Sequence, residues 1–450
     1  MAEAAVAGPG PTLGREGTGL EVRVRRVPGA PIVAVRVWLP GGARIEQVPG
    51  RALVTGRLLS EGTRRQDWRA LTDRVEARGM ILGTQGTFES HGVALDALAA
   101  DWRDALALAA EVVLEPTFPP ERCAWIVRQA AAELESLGDQ PEVRTAFGFL
   151  DQLYRPSRRA LPLHGTAETL DTLTPADCAA FHLRSLARGV RVAVAGDIDE
   201  EAVEARVREL FGAPPPVAPT GTDDAGVPGD VEPAPPVGDP PGRRVVELRH
   251  GDPDAPQAHL YVGHLTLPRT AEDFEALEVA AVVLGAGAGL TGRIPARVRE
   301  REGLAYTVSV HTVAGAGLDP GRLVLYAGTS PATVEQAERG MREELARLVE
   351  DGPTDEETEA ARAWLLGREP FRRETARQWA DLMAEAMHYR LPVDRPEWRA
   401  GRLAALGRAE VAAAARRHLH PDQLRVTVGL PVDDADGDIE DDDFEEDGEA

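Results

Sequence analysis

The same order of elements is written twice in this chain, on either side of residues 213 to 242, "APPPVAPTGTDDAGVPGDVEPAPPVGDPPG". That stretch has no periodic apolar face, and its recurring proline and glycine mark an extended or disordered linker. A chain that repeats itself about such a divider is expected to fold as two similar units. In the first half "LEVRVRRVPGAPIVAVRVWLP" alternates as paired strands about a turn at Pro28 to Pro31, and the second half answers with "VVELRHGDPDAPQAHLYVGH". Further on, "DWRDALALAAEVVLEPTF" predicts a helix capped by Asp101. Its counterpart "SPATVEQAERGMREELARLVEDG" takes Ser330 as cap and Pro331 at the first helical position, with Val334, Ala337, Met341, Leu345 and Leu348 on one face. "TDEE", Thr354 to Glu357, is a capping-box signature for the helix that follows. The β-rich runs "VRVAVAGDID" (190 to 199) and "LRVTVGLPVD" (424 to 433) close the two halves.

Each half therefore reads as strands, helix, strands, two or more helices and a last strand. The expected fold is α+β: two homologous domains, residues 20 to 212 and 243 to 432, each a largely antiparallel sheet with helices on one side. A length of 450 residues suits two cores. Residues 1 to 19 are read as a disordered N-terminus, without the basic start and apolar stretch of a secretory signal. No apolar run approaches the roughly eighteen residues of a membrane span, so a cytoplasmic chain with no membrane partner is expected. The last segment, residues 433 to 450, carries twelve acids and no base, half of the formal charge of -24, and is expected to be a disordered solubilising tail. The remainder is still acidic, which argues against a nucleic-acid partner.

All fifty basic residues are arginine, as a GC-rich coding bias would give. Without lysine there is no phosphate-loop lysine and no Schiff-base nucleophile, so nucleotide hydrolysis of that kind and pyridoxal chemistry are excluded. Cys123 and Cys178 lie far apart in sequence and read as small buried hydrophobes. "GAGLTG" (287 to 292) fits GxGxxG, yet "DFEALEVAAVVL" before it reads as a helix, where a dinucleotide site needs a strand. His259, His264, His418 and His420 read as structural. Alternation places Glu89 and His91 on one strand face with no third ligand.

Four stretches, "GRALVTGRLLSEGT" (50 to 63), "GDQPEVRTAFGFLDQLYRPSRRALPLHGTAETL" (138 to 170), "VRVAVAGDIDEEAVEARVRELFG" (190 to 212) and "GLTGRIPARVREREGLAYTVSV" (289 to 310), carry a resemblance that runs from about residue 20 to residue 432. The chain resembles the pitrilysin/insulinase zinc peptidases, in particular the short two-domain branch similar to mitochondrial processing peptidase. In that family the first stretch holds an HxxEH motif, two zinc-binding histidines and a glutamate that activates water. Here those positions are Leu53 and Arg57 for the histidines and Gly56 for the glutamate. Glu133 falls near the family's third ligand and is read as a solvated helix acid. The resemblance therefore implies no metal or other cofactor in this chain. It also implies that Arg299 and Tyr306 match an arginine and a tyrosine that reach a peptide bound at the zinc of a partner subunit. The expected function is that of the non-zinc subunit of a heterodimeric metallopeptidase. Its partner would be an HxxEH-containing homologue that holds the zinc, its substrates unfolded peptides, and the chain alone would have no peptidase activity. A catalytically silent assembly subunit and a homodimeric peptide-binding module are the alternatives.

Overall fold

The computed structural model describes residues 19–212, 242–248, 257–287, 292–392 and 395–431. The N-terminal segment, the linker and the acidic tail expected from the sequence lie outside these residues, apart from Gly19 and Gly242. The described residues form two five-stranded sheets. The first comprises β1 (Leu20–Arg26), β2 (Ile32–Pro40), β3 (Ile81–Gly86), β4 (Ser90–Leu98) and β5 (Val190–Gly196), in the order β1-β5-β2-β4-β3. The second comprises β6 (Arg243–Leu248), β7 (Ala258–Gly263), β8 (Ala305–Ala314), β9 (Arg322–Thr329) and β10 (Arg425–Pro431), in the order β6-β10-β7-β9-β8. Strand for strand, the two orders are the same, so the repeat read in the sequence is a repeat of topology.

One expectation is corrected. β1 and β2 do not pair as a hairpin. β5 lies between them, parallel to β1 and antiparallel to β2, and β10 takes the same place between β6 and β7. The sequence of β5, "VRVAVAG", explains its central place, because small and β-branched residues on both faces suit a strand covered from both sides.

The helices also depart from a one-sided layer. On the inner face of the first sheet Val33, Val35, Val37 and Leu39 of β2 meet Val93 and Leu95 of β4 and the helices Trp102–Leu114 and Glu200–Phe211. On its outer face Ala34, Ala193 and Ala195 lie under Ala380, Met383, Ala384 and Met387 of the helix Ala376–His388, which belongs to the second half of the chain. The second sheet is covered reciprocally: Phe149, Leu153 and Tyr154 of the first-half helix Pro141–Tyr154 pack on Tyr261, Val324 and Tyr326. Each half thus lends a helix to the other.

Ion pairs follow the same exchange. Arg36 of β2 reaches Asp96 at 3.0 Å and Asp381 of the lent helix at 2.5 Å. Arg159 joins Glu89 at 2.9 Å to Asp319 at 3.3 Å, and Arg44 meets Asp319 at 3.1 Å. Such groups are costly to bury unpaired and are found here in mutual contact.

Most local signals held. Ser330 accepts from the Ala332 N–H, and Thr354 and Glu357 close the capping box. Val334, Ala337, Met341, Leu345 and Leu348 are all buried. Asp101 precedes the helix Trp102–Leu114 but does not cap it, because its carboxylate is turned to Arg78 at 3.2 Å.

Candidate functional site

The positions that would hold zinc by resemblance lie on the helix Arg51–Leu58. Its N-terminus is set by Glu46, which accepts the Gly50 and Ala52 N–H groups at 3.0 and 2.7 Å. Leu53 faces the core and is buried. Gly56 is where the helix crosses β3: a Cβ there would stand 2.5 Å from the backbone of Gln85 and Gly86, and one on Gly86 would stand 2.2 Å from the Ala52 carbonyl. Two glycines therefore let helix and strand approach more closely than any side chain permits.

Arg57 turns outward and donates to both oxygens of Glu133, at 3.0 and 2.6 Å, on the helix Pro120–Gly138. His164 Nε2 lies 3.2 Å from the same carboxylate. Glu133 is exposed on its helix, as a solvated acid would be, and is also paired. Its carboxyl is held below the usual range, first by the bonds from Arg57, against burial, with His164 adding to the effect. His164 carries no motif signal of its own, and only the fold brings it here.

This donor set does not fit a zinc ion. Leucine and glycine offer no lone pair, and the guanidinium is a fixed cation already occupying the carboxylate. Among the described residues no group of three or more His, Cys, Asp or Glu gathers as a metal set.

Glu89 and His91 part company, contrary to the alternation. β4 begins only at Ser90, and Glu89 sits in the preceding turn. There it accepts from the Leu318 N–H at 2.9 Å and pairs with Arg159, while His388 Nε2 stands 3.6 Å away, beyond hydrogen-bond reach. Burial pushes this carboxyl up, but His388, Arg159 and Tyr389 outweigh it and bring it down to about 2. His91 points into the core, with Nε2 3.1 Å from His182 Nδ1, and His182 Nε2 donates to the Val113 carbonyl at 2.8 Å.

The remaining motifs fall where their residue types suggested. Cys123 and Cys178 are buried free thiols, and the fold brings them together: contact with Cys123, then burial, pushes Cys178 up. His259 meets the Tyr326 hydroxyl at 3.0 Å, His264 Nε2 accepts the His420 N–H at 2.9 Å, and His418 lies 2.8 Å from Asp273. The run before GAGLTG is the helix Phe274–Ala281, and residues 288 to 291 lie outside the described residues.

Arg299 and Tyr306 occupy consecutive segments. Arg299 lies in the widened turn Ala296–Arg301, closed by the Glu302 N–H to the Arg297 carbonyl five residues back at 3.0 Å, the spacing of a π-turn. Its guanidinium stands 3.5 Å from Glu300. Tyr306 is the bulged residue at the start of β8, between Ala305 paired with Thr329 and Thr307 paired with Gly328. β8 is an edge strand, and Tyr306 is 91% exposed. Bulges at sheet edges re-aim a side chain, and π-turns recur at functional sites. A phenol O–H and a guanidinium here are donors suited to a developing negative charge.

The described residues form two like domains that exchange a helix, and the helix that the resemblance aligns with a zinc motif carries Leu53, Gly56 and Arg57 at those positions. Residues 22–166 match the model of insulinase (peptidase family M16), and residues 178–365 match that of the peptidase M16 inactive domain. The chain belongs to this family. An uncharacterized zinc protease of Mycobacterium tuberculosis is 30% identical over 358 residues, covering 78% of this chain and 77% of that protein. Another, of Mycobacterium leprae, is 29% identical over 360 residues, covering 78% and 76%. Among solved structures the fold is similar to a peptidase M16 inactive domain from Pseudomonas fluorescens (TM-score 0.81, 24% identity, 94% of this chain and 98% of that one). It is also similar to a protease from Helicobacter pylori (TM-score 0.82, 16% identity, 94% and 100%). No helix among the described residues is long and apolar enough to cross a membrane.

Proposed function

We propose that this chain is the non-zinc subunit of a two-chain metallopeptidase, forming half of a chamber for unfolded peptides beside an HxxEH-bearing homologue that holds the zinc. Arg299 and Tyr306 act in the partner's site. As a peptide carbonyl is attacked, its oxygen gains negative charge, and a guanidinium and a phenol placed there stabilise that charge more than the ground state. The observation that supports this reading is the 91% exposure of Tyr306, an aromatic side chain held outward by a bulge on an edge strand. Among the described large hydrophobic side chains Tyr306 is the most exposed, ahead of Phe371 at 64%.

The test is reconstitution. The chain alone is expected to carry no stoichiometric zinc and to leave an unstructured, internally quenched peptide intact. Mixed with an HxxEH homologue from the same organism, it is expected to support chelator-sensitive cleavage. About one tightly held zinc per chain, or cleavage by the chain alone, would overturn the reading. Assembly with the homologue without any gain in cleavage would favour a silent assembly subunit.

A further inference from the structure

In the segment that carries Arg299 into β8, one side chain meets three carboxylates at once. Arg297 reaches three carboxylates: Glu302 at 2.8 Å within its own segment, and Glu343 at 2.6 Å and Glu344 at 3.4 Å on the helix Val334–Asp351. Glu344 is buried and also faces Arg301 at 3.7 Å and Arg347 at 3.0 Å, while Glu302 meets Gln336 at 3.4 Å.

Beyond Glu302 the chain is pinned by backbone bonds. The Leu304 N–H donates to the Val298 carbonyl at 2.8 Å, and the Leu304 carbonyl accepts from Thr329 Oγ1 at 2.6 Å. Tyr306 follows two residues later. Arg297 therefore ties the start of the π-turn to its end and both to a long helix of the core, and Arg299 and Tyr306 lie on the piece so held. A π-turn is a strained, uncommon element that needs outside support.

We infer that Arg297 is the positioning residue for the Arg299/Tyr306 pair, acting through Glu302, Glu343 and Glu344 and not on substrate. The inference rests on the function proposed above. Its three-way fork uses the planar geometry of a guanidinium, which a lysine reproduces only in part.

Two measurements test it. In the full chain, Arg297→Ala should speed amide hydrogen exchange at residues 302 to 306 by about tenfold or more, with the sheet cores unchanged. In the complex with the HxxEH homologue, it should lower kcat on the quenched peptide by about tenfold to a hundredfold with little change in KM, because a small misplacement of an oriented group acts on turnover. R297K should fall between wild type and R297A. If R297A does not fold, E302Q removes one arm of the clamp and should show both effects at smaller size. Wild-type kcat in R297A, in a complex that Tyr306→Phe slows, would overturn the clamp and leave the proposed function standing. Wild-type turnover in Y306F would overturn the proposed function, and this inference with it.

Discussion

Arg57 binds Glu133 through both carboxylate oxygens, at 3.0 and 2.6 Å, so that a salt bridge stands where relatives by resemblance would bring a metal ligand and an acid together. The bridge joins the helices Arg51–Leu58 and Pro120–Gly138, with His164 as a third member. A fixed cation here does part of what a bound cation could do, holding two helices by charge, and it supplies no open position for chemistry.

Gly56 leaves no room for a side chain on the same helix. A side chain there meets the backbone of Gln85 and Gly86 at 2.5 Å, and backbone has no rotamer to yield. Gly56→Ala is expected to destabilise the chain by about 1 to 3 kcal/mol, the usual cost of overpacking, read from urea unfolding. The graft L53H/G56E/R57H, which rewrites the zinc motif, should be less stable still. Wild-type stability in G56A would show that helix and strand are not in fixed contact.

How much of this was legible in the sequence differs between the two sheets' order and the site. The repeat, the buried face from Val334 to Leu348 and the caps at Ser330 and Thr354 were read from local periodicity, which the fold leaves intact. Which strand pairs with which was not, because alternation records that a strand has two faces and is silent on its neighbours. The lent helices were hidden for the same reason: Ala376–His388 is amphipathic, but nothing in its sequence names the alanines of β2 and β5 as its seat. The reading of Leu53, Gly56 and Arg57 as zinc-motif positions without ligands came from the resemblance and not from local periodicity. The pairing of Glu133 with Arg57 and His164, and the separation of Glu89 from His91, needed contacts between residues far apart in the chain.

The exchange of helices predicts that the two halves hold together without a covalent link. Arg36 with Asp381, Arg159 with Asp319 and the two apolar seats all cross between halves. A chain with an engineered protease site within residues 213–242, cut to completion, should elute from gel filtration as one particle at the uncut position. Either half expressed alone should be poorly soluble, since it leaves one sheet face bare. Two separate, soluble peaks after cutting would contradict this.

Three buried histidines set a pH dependence. Burial lowers His182 to about 4, against its bond to Val113, and likewise lowers His264 to about 4; burial and the neighbouring His182 put His91 well below its ordinary value of 6.5. A histidine whose folded pKa lies below its unfolded value is protonated first in the unfolded chain. Stability is therefore full above pH 6.5 and falls as pH drops toward 4. Each such group contributes a slope of about 1.4 kcal/mol per pH unit once the difference is complete. Calorimetric unfolding at pH 5 in buffers of different ionisation enthalpy should show uptake of at least about two protons, with His259 and His311, also lowered by burial, adding to it. Glu89 adds a separate loss below its ordinary 4.5, extending toward about 2. Unfolding at pH 5 with no proton uptake would mean that these histidines are not held neutral.

The exposed pair gives the last prediction. Tyr306→Phe keeps the ring and removes the hydroxyl from a residue whose side chain is 91% exposed, so folding stability should change by less than about 0.5 kcal/mol. If the hydroxyl donates to a carbonyl oxygen as charge develops, its loss acts on the transition state alone. Removing one such donor lowers kcat by about a hundredfold to a thousandfold, roughly 3 to 4 kcal/mol, while KM moves little. Arg299→Ala should act in the same direction. It removes a charge and also the contact with Glu300 at 3.5 Å, so it is the less clean of the two. The measurement compares kcat and KM of wild-type and variant complexes with the HxxEH homologue at matched stoichiometry, checked by gel filtration. A Y306F complex that assembles normally and turns over peptide at the wild-type rate would leave Tyr306 a surface residue, and the chain would then be a silent assembly subunit.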